Sequence, residues 1–192
     1  QTFSVTQAAA PCTYALNPAS QSVAAAGGTG STAVTAPTGC AWTGVSNNTS
    51  WLTVTSGASG SGGGTVAFSA AANASTTQRS GTLTIGGQTL TVTQAAAGCT
   101  YSINPTSQSI VAAGGTGSST VTTLAGCAWT GVSNNTSWLT VTSGASGNGP
   151  GTVAFSAAAN PNGTQRSGSL TIAGQTFSVT QAAAPCTYAL NP

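Results

Sequence analysis

Apolar and polar residues alternate along most of this chain, in short runs broken by Gly, Pro and Asn. Gln88–Gln94 sets Leu90 and Val92 against three threonines, and Ser80–Ile85 sets Leu83 and Ile85 against Thr82 and Thr84. A period of two is that of a strand with one buried face. The same reading predicts strands at Gln1–Gln7, with Phe3 and Val5 on one face, then at Cys12–Leu16, Ser20–Ala25 and Ser31–Ala36. Ala41–Ser46 reads as a strand with Trp42 turned inward and Val45 a second candidate for that side. Ser50–Thr55 puts Leu52 and Val54 on one face and Trp51 on the other. Thr65–Ala71 buries Val66 and Phe68. Asn17-Pro18, Gly27–Gly30, Pro37–Gly39, Asn47–Thr49 and Gly86-Gly87 punctuate the runs as turns. Gly57–Gly64 reads as a flexible loop. The alanine runs are too short for isolated helices. Seven or eight short strands with turns between them predict an all-β fold, an immunoglobulin-like β-sandwich.

The pattern then repeats without insertion or deletion. Cys12, Cys99 and Cys186 each open a Cys-Thr-Tyr run, at a constant offset of 87 residues. Gly39–Gly60 and Gly126–Gly147 are identical and hold all four tryptophans. The expected organisation is two tandem sandwiches, 12–98 and 99–185. Residues 1–11 read as the last strand and linker of a preceding repeat, and 186–192 as the first strand of a following one. Residues 1–18 and 175–192 are identical, whereas 88–105 differ from both. This points to a longer period made of two non-identical modules, seen through a window onto a tandem array. Terminal strands that complete neighbouring subunits are the other reading. The three-alanine linkers are short enough to predict a semi-rigid rod.

Composition removes most chemistry. Arg79 and Arg166 are the only charged side chains, and Asp, Glu, Lys and His are absent. An ordinary soluble domain is about a quarter charged. Serine and threonine nucleophiles lack any side chain to activate them. General acid–base and paired-carboxylate hydrolysis have no carrier. No enzyme activity and no cofactor or metal are expected. Two positive charges make no nucleic-acid footprint. No apolar run approaches a membrane span, so membrane insertion is not expected either. Near-neutral chains tend to associate, so hydroxyls, attached glycans or deliberate assembly must keep this one dispersed.

Four cysteines stand in two equal spacings, Cys12 to Cys40 and Cys99 to Cys127. One disulfide per module is expected, Cys12–Cys40 and Cys99–Cys127, against the alternative of free buried thiols. Cys186 would pair outside the window. Disulfides imply an extracellular or cell-surface setting. Sequons mark Asn47, Asn48 and Asn73 in the first module and Asn134, Asn135 and Asn162 in the second as glycosylation candidates, against a plain reading as polar turn residues. Trp42 reads as core. Trp51 and its copy Trp138 read either as core or contact residues or as a platform for a sugar ring. Arg79 and Arg166 have no acid to pair with, which leaves carbonyls, an aromatic face or a glycan.

Trp42, Trp51-Leu52-Thr53-Val54, the Gly57–Gly64 stretch, Thr65–Phe68, Asn73, Arg79–Ile85 and Val92-Thr93-Gln94 together resemble the bacterial BACON-type domains. The second module matches at Trp129, Trp138-Leu139, Val153–Phe155, Asn160, Arg166–Ile172 and Val179–Gln181. The resemblance implies an immunoglobulin-like sandwich in an extracellular protein, and a carbohydrate-binding role has been suggested for such domains. It fixes no binding residues. The expected function is a structural tandem-repeat protein of an extracellular filament, fibre or surface stalk, glycosylated and partnered by copies of itself. The alternative is a carbohydrate-binding module of a secreted or surface protein.

Overall fold

The computed structural model describes residues 2–7 and 10–186. The chain divides into two compact units that part between Ala97 and Gly98. Among the described residues each unit has nine β-strands. In the first these are β1 (Ala15–Asn17), β2 (Ser20–Val23), β3 (Gly28–Thr35), β4 (Ala41–Ser46), β5 (Leu52–Ser56), β6 (Ser59–Ser61), β7 (Gly64–Ala70), β8 (Arg79–Ile85) and β9 (Gln88–Gln94). The second repeats the series as β10 (Ser102–Asn104), β11 (Ser107–Ile110), β12 (Gly115–Thr122), β13 (Ala128–Ser133), β14 (Leu139–Ser143), β15 (Ser146–Asn148), β16 (Gly151–Ala157), β17 (Arg166–Ile172) and β18 (Gln175–Gln181).

Two sheets face each other in each unit. In the first, a four-stranded sheet runs β1-β3-β7-β5 and a five-stranded sheet runs β2-β9-β8-β4-β6. All pairings are antiparallel except β2 with β9, where Ser20 to Val23 run alongside Thr91 to Gln94. The second unit has the same order. The alternation explains the packing. Val66 and Phe68 of β7, Leu83 and Ile85 of β8, and Leu90 and Val92 of β9 are fully buried between the sheets. The cores differ at a few positions, Ile103 for Leu16, Ile110 for Val23 and Phe177 for Leu90, and the Phe177 ring lies 5.3 Å from that of Phe155.

Three local expectations give way to tertiary contacts. The Gly57–Gly64 stretch is not a flexible loop, because its middle forms β6, which pairs with β4 through Trp42 opposite Gly60. Glycine is needed there because the Trp42 indole lies flush against this backbone; a Cβ on Gly64 would stand 2.6 Å from Cζ2. The Gly27–Gly30 turn shrinks to its first residue, since β3 already starts at Gly28 in register with Ala70. Val45 faces outward and is 52% exposed. The period of two that buries Trp42 gives the next inward place to Gly44, so Val45 falls on the other side. With β6 added, each unit has nine strands where the turn spacing pointed to seven or eight.

Residues 2–7 do not form the expected strand. Phe3 and Val5 are 94% and 90% exposed. The same sequence at Gln175–Gln181 forms β18 because β11 and β17 lie on either side of it. The expected first strand of a following repeat falls mainly on 187–192, which lie outside the described residues. Cys186, at its start, is exposed with a free thiol.

Candidate functional site

The turn after β4 is built by its asparagines. Asn48 C=O accepts the backbone N–H groups of both Trp51 and Leu52, at 3.1 and 2.9 Å. This tight turn breaks the alternation just before β5, so Trp51 and Leu52 both enter the core. Asn48 Oδ1 accepts the Thr82 N–H at 2.9 Å, which ties the turn to β8. Asn47 is exposed and its side-chain amide donates to the hydroxyls of Thr82 and Thr84, at 2.9 and 3.0 Å. Asn134 repeats this with Ser169 and Thr171, and Asn135 repeats the bond to β17.

Trp51 is 8% exposed, and Arg79 stacks over its ring with Cζ 4.4 Å from the centroid. A Cβ on Gly81 would lie 2.6 Å from Trp51 Cζ2, so only glycine fits on β8 beneath the indole. Trp138 is half-buried under Arg166 at 4.2 Å. The rings proposed as a sugar platform are thus each covered by a guanidinium and held against a strand.

Arg79 resolves its missing acid with neutral acceptors. Nη2 donates to the carbonyls of Ala71 and Ala72 at 2.9 and 3.0 Å, and Nε donates to Gln94 Oε1 at 2.9 Å. Gln94 is fully buried, and its amide donates to the carbonyls of Ala24, Ala25 and Ala71 at 3.1, 3.3 and 2.8 Å. Asn73, 4% exposed, donates to the carbonyls of Thr77 and Ala95, both at 2.9 Å. These side chains satisfy backbone carbonyls where three loops meet at one end of the sandwich. Gln181, Arg166 and Asn160 do the same in the second unit. Sequence reasoning noted these positions and missed the role of Gln94 and Asn73. The signal for Gln94 was a polar residue continuing the inward phase of Leu90 and Val92; Asn73 lies in the loop between β7 and β8, where no strand period marks it.

The opposite end is fastened covalently. Disulfides join Cys12 to Cys40 and Cys99 to Cys127, with Cα atoms 5.5 and 5.6 Å apart. Beside the first, Tyr14 donates its hydroxyl to Ala41 C=O at 2.7 Å, and Trp42 Nε1 donates to Gly62 C=O at 2.8 Å. An open groove of about 530 Å³ lies between Tyr14, Trp42, Ser59 and Gly86. Ala173 holds the place of Gly86 in the second unit and packs on that unit's core.

The sequons divide by geometry. Asn73 is buried with both amide hydrogens donated, so a glycan there would displace a bond and open the loop end. Asn48 and Asn135 are half-buried with Oδ1 engaged. Asn47 and Asn134 are accessible but donate their amides across β8 and β17. Asn162 is exposed and takes part through its backbone N–H, which donates to Asn160 Oδ1 at 3.2 Å.

Comparison with known proteins adds a family and several folds. Among solved structures, domains 4 and 5 of the S-layer protein SbsC align over 74% of this chain and 77% of that one, at 17% identity and a TM-score of 0.38. WR4, a C. elegans member of the MSP family, covers 44% of this chain and 97% of its own, at 16% identity and a TM-score of 0.32. The I9–I11 tandem of titin covers 85% and 62%, at 10% identity and a TM-score of 0.28. Likenesses this distant carry no functional argument, and the sandwich assignment rests on the strands described above. No curated protein matches the chain. The family model of BACON, described as "Putative binding domain, N-terminal", matches residues 41–95 and 128–182, once in each unit. These two matches span more than half of the sequence, and the chain belongs to the BACON family.

Proposed function

We propose that this is a structural tandem-repeat protein of an extracellular filament, fibre or surface stalk, carrying covalent glycans and partnered by copies of itself. The observation that carries the reading is repetition under one constraint. The same nine-strand sandwich occurs twice, with the same disulfide, the same Arg–Gln–Asn cluster around a buried glutamine and asparagine, and the same tryptophan seats. Side chains usually spent on a reactive site are here spent on closing the two ends of each sandwich. A disulfide in each unit suits an oxidising, extracellular setting. The chain offers no acid, base or activated nucleophile, so its role is non-catalytic. Asn162 is the glycan acceptor favoured by its exposure. Carbohydrate binding through Trp51 and Trp138 has less support, because Arg79 and Arg166 cover those rings.

Electron microscopy of the native material, paired with intact-mass measurement, tests the reading. Rods with a periodic two-unit repeat and mass above that of the polypeptide are expected. Dispersed particles of the polypeptide's own mass would overturn it.

A further inference from the structure

Asparagine is followed directly by glycine at two places, Asn148-Gly149 and Asn162-Gly163, both in the second unit. Glycine has no Cβ to obstruct the approach of its own nitrogen to the asparagine Cγ, so the side-chain amide of such a pair is open to attack from the backbone. The fold treats the two pairs differently. Asn148 ends β15. Gly149 is buried, its N–H donates to Cys127 C=O at 2.9 Å, and its C=O accepts Trp129 Nε1 at 2.7 Å. Its nitrogen is held in place at the disulfide end of the sandwich. Asn162 and Gly163 lie exposed in the loop between β16 and β17. Neither the Asn162 side chain nor the Gly163 N–H has a hydrogen-bond partner among the described residues. A Cβ on Gly163 would meet nothing within 4 Å. The first unit has Ala74-Ser75-Thr76 at this loop, and there the Ser75 hydroxyl is engaged with that of Thr77 at 2.8 Å.

We propose that Asn162 is a site of spontaneous deamidation, selected over Asn148 by the freedom of the glycine nitrogen that follows it. The Gly163 nitrogen loses its proton to solvent base and attacks Asn162 Cγ. The Cγ–Nδ2 bond breaks, Nδ2 takes up a proton, and ammonia leaves. Residues 162 and 163 are then joined in a five-membered succinimide. Water opens that ring at either carbonyl, giving aspartate or isoaspartate. One water is consumed, one ammonia is released, and nothing is oxidised or reduced. The product is a side-chain carboxylate in a chain that has none, and the formal net charge falls by one unit from +2. Asn162 C=O accepts the Ala184 N–H at 2.8 Å. In isoaspartate the main chain runs through Cγ and that carbonyl becomes a free carboxylate, so the hold on the segment after β18 changes with the reaction. A glycan on Nδ2 would occupy the leaving nitrogen, and deamidation destroys the Asn162-Gly163-Thr164 sequon, so the two fates compete for one atom. The inference rests on neither the assembly nor the glycosylation proposed above.

The full chain, produced in a host that adds no glycans, is incubated at mildly alkaline pH, both folded and in denaturing guanidinium. Peptide mapping that separates asparagine, aspartate and isoaspartate follows residues 148 and 162. In the folded chain Asn162 is expected to convert about tenfold or more faster than Asn148, because Gly149 must first leave its bond to Cys127. In denaturant the two are expected to convert at similar rates. Asn162→Ser, which restores the residue of the first unit, is expected to remove the early acidic species seen on isoelectric focusing. An Asn162 that stays intact in the folded chain, or that converts no faster than Asn148 there, would overturn the proposal. So would an early acidic species that persists in Asn162→Ser.

Discussion

Gln94→Leu removes the centre of the loop-end cluster while keeping the side chain's volume close to the original. The leucine fits the inward phase of β9, so the strand itself has no reason to fail. What it loses is specific. Three amide bonds to the carbonyls of Ala24, Ala25 and Ala71 vanish, and the acceptor for Arg79 Nε vanishes with them. Ala71 C=O keeps its bond from Arg79 Nη2, and the Ala24 and Ala25 carbonyls keep those from the Gly27 and Asn73 backbone N–H groups, so the one group left without a partner is the guanidinium Nε–H. A buried group left unpaired costs about 1–3 kcal/mol, more when charged. Water reaching the half-exposed arginine lowers that share. Destabilisation by about 1–3 kcal/mol is expected. For a domain of this size it corresponds to a fall in Tm of roughly 5–20 °C. The second unit, unaltered, serves as the internal reference. Thermal unfolding followed by tryptophan fluorescence is therefore expected to split, one transition falling and the other staying. A fall below about 3 °C would show that water replaces the glutamine without cost, and the cluster would lose its structural role.

Other expectations follow from the same contacts. Without Asp, Glu, His or Lys, folding changes no side-chain protonation between about pH 3 and pH 8, so the slope of stability with pH is zero there. Urea midpoints measured across that range are expected to coincide, and an acid transition would contradict this. Cys40→Ser opens a loop of 28 residues and is expected to cost about 3–4 kcal/mol by denaturant titration. Gly81→Ala places a methyl against the Trp51 indole and the Asn48 amide and is expected to cost about 1–3 kcal/mol. Gly87→Ala, in open space but at a φ of +78°, is expected to cost about 1–2 kcal/mol through backbone strain alone. If Gly81→Ala left the tryptophan spectrum and the midpoint unchanged, the indole would not be seated as described.

Much of this protein was legible in its residues. Alternation in β7, β8 and β9 determined the strands and their buried faces, because a half-buried strand leaves its period in the sequence. The constant 87-residue offset determined the tandem plan, and the composition holds no Asp, Glu, His or Lys side chain. Other features belong to the tertiary structure. Phe3 and Val5 carry the same pattern as Phe177 and Val179 and yet stand exposed, since a strand exists only where neighbours complete its ladder. Trp51 is out of phase with Leu52 and Val54, and only the Asn48 turn, gathering two backbone N–H groups on one carbonyl, brings it inward. Gly57–Gly64 has the composition of a linker, and only the Trp42 ring across from it makes it a strand and a seat. The fate of Arg79 was likewise a question of distance. Its partners are carbonyls and a glutamine that lie apart along the chain and meet only where the sandwich closes.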